Sequence, residues 1–354
     1  MVKILRFPDA GLCRPGTSRP AFAVAGLLLL GILTATLRAA DTTAAPAATR
    51  KAELGVYILD ITDIDEPGGK FTLHVLLGTY WQDPAQAFEG KEPKVLREDA
   101  AMGEVNTIWR PMVEFNRTTA PAELHHALLR IHPDGRVEFE RQLTVQIATQ
   151  LDLRKLPFDT QTLSIELESF QHLAGAVDLV LPEKNLRMAK RISLPQWEPG
   201  KLAGEVKPRY REEYGETYSC ATVTLEVKRH TQFYIWQMMV PLGIVLGMAF
   251  AVFFLPPKDL SDRMSVIIAS LLTVVALSYS LHSGLPKISY LTVIDWFFVL
   301  AYVFLGLAMA GMVWISNLYD RDEARAIRCD RWLRWAYPGT YLLASAIVVI
   351  TALN

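Results

Sequence analysis

The stretch that decides the fold is DRMSVIIASLLTVVALSYSL, residues 262–281. Its apolar part is just long enough to cross a hydrocarbon core of roughly 30 Å as a helix. It opens on an acid and a base, Asp262 and Arg263. Along it Ser265, Ala269, Leu272, Ala276 and Tyr279 recur at steps of three and four, so they share one helix face. Thr273 sits mid-run, and Ser278 and Ser280 add hydroxyls towards its C-terminal end. A helix with a small, partly hydroxylated stripe either packs closely on a neighbour or lines water. Composition favours packing and the charged flank favours water, so both readings stay open at this point.

Three more runs of similar length surround this one: 233–255, with Pro241 and no ionisable group; 291–317, which carries Asp295; and 335–353. With 264–281 they predict four membrane-spanning helices, because lipid offers the backbone no other partner than itself. Between the third and fourth runs lie Arg321, Arg325, Arg328, Arg331 and Arg334, against Lys287 alone between the second and third. An excess of Lys and Arg marks the cytoplasmic side. The segment 230–354 is therefore expected to place its Arg-rich connection inside and both mature ends outside. The N-terminus agrees: Lys3, Arg6, Arg14 and Arg19 precede an apolar run over 21–37 and the small residues Ala39 and Ala40. This predicts a signal peptide over 1–40, with an uncleaved anchor as the alternative, and then a flexible Ala- and Thr-rich tether over 41–50.

The 354 residues carry 36 basic and 37 acidic side chains, which leaves no basic field for nucleic acid. Cys13, Cys220 and Cys329 fall in the leader, the exported domain and the cytoplasm, so no disulfide joins them within one chain. Over 51–229 the pattern turns to short alternating segments: FTLHVLL at 71–77, QLTVQI at 142–147 and TVTLEV at 222–227. These fit strands with one buried face. Turn signals at Pro67-Gly68-Gly69, Pro133-Asp134-Gly135 and Pro199-Gly200 separate them. An antiparallel, immunoglobulin-like β-sandwich followed by a four-helix transmembrane bundle is the expected architecture.

Several stretches, in order, resemble the pentameric ligand-gated ion channel superfamily, the Cys-loop receptors and their bacterial relatives. LDLRKLPFDTQ at 151–161 looks like the family's signature loop, with Thr149 and Leu163 where animal members place the bracketing cysteines. Arg229, Pro241 and FFLPP at 253–257 resemble the pattern around the first span. DRMS at 262–265 is similar to the entry of the second span in cation-selective members and registers Leu272 with their gate leucine. LPK at 285–287 with Tyr290 resembles the outer loop of bacterial channels, and Trp109-x-Pro111 and Trp81-x-Asp83 are weaker likenesses. Met112 departs from the pattern by standing where many members have Asp.

The resemblance implies a homopentamer in a bacterial inner or plasma membrane, in contact with lipid and opened from outside by a small molecule or protons. It implies a cation pore lined by Asp262, Ser265, Ala269, Leu272, Ala276 and Tyr279, with Asp262 as the inner selectivity ring, Leu272 as the apolar gate and Arg263 turned away from the axis. An agonist box is implied at Phe170 and Tyr218, with Tyr210 or Tyr214 on the same hairpin and Phe115 and Trp81 nearby. Such aromatics would hold an amine by cation–π attraction, though aromatics in a sandwich are commonly core. Coupling between the domains is assigned to Glu66, Pro157, Phe158, Asp159, Arg229, Pro286 and Lys287. His282, near the outer mouth, is expected either to titrate near neutrality or to be a plain solvated histidine, and Asp295 is expected to be either a functional acid or a side chain reaching the interface. No cofactor or metal site is expected. His125 and His126 are adjacent and point apart, and neither a nucleophile elbow nor a phosphate loop is present, so no enzyme is expected. The competing expectation is a membrane-anchored sensor without a pore.

Overall fold

The computed structural model describes residues 49–353, so the predicted leader and most of the tether lie outside the described residues. Among the described residues, eleven strands form two sheets. The larger runs β3 (Lys94–Arg97), β5 (Glu123–Ile131), β6 (Arg136–Ala148), β2 (Lys70–Gln82), β1 (Arg50–Asp65), β8 (Val177–Val180), with β9 (Leu186–Met188) also on β1. The smaller runs β10 (Trp197–Arg211), β11 (Glu216–Arg229), β7 (Thr160–Leu173), β4 (Val113–Phe115). The alternation read from sequence is the alternation of burial: Phe71, Leu73, Val75 and Leu77 of β2 face Leu163, Ile165, Val223 and Leu225 across the inter-sheet core. A short helix, α1 (Glu98–Val105), covers a satellite core of Trp81, Leu129 and Phe139.

Two details differ from the expectation. The sandwich is not purely antiparallel, because β8 and β9 both pair parallel to β1. Pro199 and Gly200 do not end a strand; they form an irregularity inside β10, where the register against β11 shifts between Pro199 and Leu202. A proline and a glycine in a strand commonly mark such a bulge. The other two signals are true turns, with Gly69 at φ +60 and Gly135 at φ +81, conformations that favour glycine.

Four helices follow: α2 (Gln232–Phe254), α3 (Leu260–His282), α4 (Val293–Tyr319) and α5 (Glu323–Leu353). Each is long and apolar enough to cross a membrane. α5 begins twelve residues ahead of the predicted fourth span (335 − 323), so Arg325, Arg328, Arg331 and Arg334 are helical and the connection shrinks to a tight turn at Asp320–Asp322. Arginine is a good helix former, and hydropathy alone hides a helix that continues into polar sequence. The bundle core is built from Leu246, Phe253, Ile267, Val274, Phe298, Leu305 and Met312.

Candidate functional site

Along α3 the two faces are opposed. Arg263, Ile267, Ser270, Val274 and Leu281 are buried against the bundle. Asp262, Ser265, Ala269, Leu272, Ala276 and Tyr279 are all exposed, Leu272 by 65% and Tyr279 by 78%. The hydroxyls of Ser265 and Thr273 donate to the carbonyls of Ser261 and Ala269, at 2.9 Å each, which leaves their lone pairs outward. Asp262 and Arg263 point apart as the helix period requires. Arg263 turns inward onto Asp330 of α5 (2.8 Å) and onto the Leu255 carbonyl. Asp330 also meets Arg334 at 3.4 Å, so one buried carboxylate joins α3 to α5.

The segment between β6 and β7 leaves the sandwich and enters the bundle. Leu153 and Leu156 belong to the bundle core. The backbone N–H of Leu153 donates to the Tyr290 hydroxyl (3.0 Å), and that of Val293 to the Arg154 carbonyl (3.2 Å). Above them Arg229, fully buried, gives Nε and Nη2 to the two Asp159 oxygens (2.7 and 3.1 Å) and Nη1 to Glu66 (2.6 Å) and the Tyr234 hydroxyl (3.1 Å). Its plane lies over Trp197 at 4.1 Å. Gln161 fixes Asp159 from behind (2.6 Å). Burial by itself pushes the Arg229 guanidinium down, yet the Asp159 and Glu66 hydrogen bonds outweigh it and raise its pKa. Glu66, Asp159 and Arg229 thus meet as expected. Buried Pro157 and half-buried Phe158 shape the loop that carries Asp159. Pro286 and Lys287 do not join this cluster: they border a cavity between α3 and α4, and the recorded hydrogen bonds to the signature loop come from Tyr290 and Val293.

Phe170, Tyr214 and Tyr218 form one aromatic cluster on the smaller sheet. Phe170 stacks on Tyr218 (6.4 Å, 6° between planes) and meets Tyr214 edge-on (5.5 Å). Phe115 joins Phe170 and Tyr214 around a cavity of about 190 Å³, floored by the Arg211–Glu168 pair (Nε–Oε2 3.0 Å). Tyr210 stands 61% exposed on the hairpin, outside these ring pairs. Trp81 is corrected outright. It is 3% exposed, packs on Trp109 (6.4 Å) in the satellite core, and does not border this cavity. On the smaller sheet Arg209 holds Glu166 (2.5 Å); burial pushes the Glu166 carboxyl up, but the Arg209 bond wins and leaves it below its ordinary value.

His282 is exposed, as expected, and its Nε2 lies 2.9 Å from Asp295. Asp295 is the return partner of a capping box, accepting from the Thr292 N–H (2.7 Å) while its own N–H donates to the Thr292 hydroxyl (3.2 Å). The Thr-x-x-Asp spacing at 292–295 was a legible signal for that role.

Comparison with known families falls on both halves. The family described as neurotransmitter-gated ion-channel ligand binding domain matches residues 36–231, and the neurotransmitter-gated ion-channel transmembrane region matches 238–337. Among similar proteins, the gamma-aminobutyric acid receptor subunit rho-2 of Homo sapiens is 26% identical over 281 residues, 76% of this chain and 59% of its own length. The Rattus norvegicus rho-2 subunit is 26% identical over 80% of this chain and 61% of its own length. The Mus musculus rho-1 subunit is 23% identical, over 76% and 58%. The chain spans about three fifths of the length of these relatives. With a ligand-binding sandwich and a transmembrane bundle both matched, this chain belongs to the family of neurotransmitter-gated ion channels.

Proposed function

We propose that the chain is one subunit of a homopentameric, cation-selective channel, opened when a small molecule or protons act on the sandwich. The observation that carries this reading is the exposed α3 stripe, with Asp262 at one end and Leu272 in the middle. Five copies around an axis turn that stripe into stacked rings. An Asp262 ring concentrates cations, and a Leu272 ring blocks ions by dewetting. Asp262 alone gives the pore its proposed preference for cations.

The aromatic cavity is the proposed agonist site. Phe170 and Tyr214 border this cavity and offer rings to a cationic group, Tyr218 backs Phe170 from the buried side, and Glu213 borders the same cavity. The Arg229 cluster then transmits the change: it lies where the sandwich meets the signature loop and the start of α2, so any shift of β11 displaces buried charges that have one good arrangement. The orientation proposed keeps the sandwich outside and the turn between α4 and α5 in the cytoplasm, following the arginines of α5.

The test is expression in oocytes with pH steps and a panel of amines, reading reversal potentials in asymmetric salt. Currents that reverse near the cation equilibrium potential are expected, with that preference weakened in Asp262→Ala. Anion-selective wild-type current, or unaltered cation preference in the variant, removes Asp262 as the filter.

A further inference from the structure

Two arginines of the sandwich have buried guanidinium atoms, and their surroundings are opposite. Arg229 is enclosed by two carboxylates. Arg141, on the β6 face shared by buried Phe139 and Leu143, forms no ion pair among the described residues. Its Nη2 donates to the Val113 carbonyl (2.8 Å), and its guanidinium lies 5.3 Å from the Phe139 ring centre. Its Nε is buried with no hydrogen-bond partner among the described residues. Trp81 Nε1 and Thr79 Oγ1 are in the same condition, and both residues are only 3% exposed.

Those three residues border one cavity of about 40 Å³, closed further by Arg110, Met112 and Glu114. A water needs about 10–15 Å³ of such space, and drug-sized ligands occupy cavities of roughly 300–1,000 Å³. The space therefore takes a few waters or one compact ion, and the charge around it separates the two. Its charge balance is two arginines against one exposed carboxylate, Glu114. Burial pushes the Arg141 guanidinium down to about 10, Arg110 pushes it the same way, and Glu114 only partly opposes them. A neutral apolar guest would leave three buried donors without partners. A cation would face donors and like charge.

We propose that this cavity binds a compact monovalent anion, a halide or the carboxylate of a short acid, held by Arg141 Nε, Trp81 Nε1 and the Thr79 hydroxyl with Arg110 as the second positive charge. The site is distinct from the aromatic cavity, although Glu114 borders both. It does not depend on ion conduction.

The test measures the melting temperature of the full-length protein in detergent as chloride, bromide or acetate replaces gluconate at constant ionic strength. At saturation a rise of roughly 2–4 °C is expected for the wild type. Arg141→Met should abolish it. Met112→Asp should abolish it as well, because it supplies a carboxylate in the cavity wall from a position at φ +47 that Asp tolerates better than most residues. Should Arg141→Met fail to fold, Met112→Asp still decides. A response to halides alone identifies an inorganic ion, and a response to acetate alone identifies a carboxylate; either supports the site. A wild type indifferent to all three anions, or a shift that survives in Met112→Asp, overturns it.

Discussion

Arg229 shows how one side chain links two domains. Its fork is satisfied by Asp159 and Glu66, both nearly buried, and its face by Trp197. Arg229→Ala strands two carboxylates and should cost about 3–5 kcal/mol, read as a lower melting temperature and loss of channel opening. Arg229→Lys keeps the charge without the bidentate fork and should fall between. Normal stability and currents in Arg229→Ala would refute the coupling role. Glu166 gives a pH prediction. Its folded pKa lies below its ordinary value, so its contribution to stability is present above the ordinary glutamate range and is lost as pH falls through the lowered value. Glu166→Gln should flatten the acid limb of the stability curve, while an unchanged limb assigns that limb to other carboxylates. Cys220 is buried, and burial, then Glu166 and Glu168, push its thiol up. Alkylating reagents at neutral pH should leave it unmodified until the sandwich is unfolded.

At the scale of elements, Asp330 holds α3 to α5 through Arg263 and Arg334. Asp330→Asn leaves Arg263, 1% exposed, without a counter-charge. Faster hydrogen exchange at the start of α3 and the first turns of α5 is the expected result, and unchanged protection would reduce the contact to incidental packing. The elements themselves were largely legible. Strand alternation and apolar runs report burial directly, and the exposed stripe of α3 matched its period. What stayed hidden was pairing across distance. Arg263 and Asp330 lie 67 residues apart, and no local pattern joins them. The start of α5 was hidden because arginine lowers hydropathy without breaking a helix. Trp81 sits in the satellite core and not at the aromatic cavity, a difference hidden in sequence because an aromatic residue in a strand carries no label for core or cavity. Phe170 and Tyr218 came together because β7 and β11 are antiparallel neighbours, and Tyr214 joins them from the turn between β10 and β11. Pro286 and Lys287 were offset by a few residues from Tyr290 and Val293, the distance a loop motif leaves undefined.

At the scale of the whole molecule, the account requires the exposed face of α3 to meet water, whereas the outer faces of α2, α4 and α5 meet lipid. Cysteines introduced singly at Ser265, Ala269, Leu272, Ala276 and Tyr279, and at buried Ile267 and Val274 as controls, separate these environments. The native thiols are first replaced. A charged, membrane-impermeant methanethiosulfonate reagent is then applied with and without stimulus, and modification is followed by current and by mass. Reaction is expected at the stripe, with positions below Leu272 gaining reactivity from the outside only during stimulation, and none at the two controls. A stripe that never reacts under any condition contradicts it.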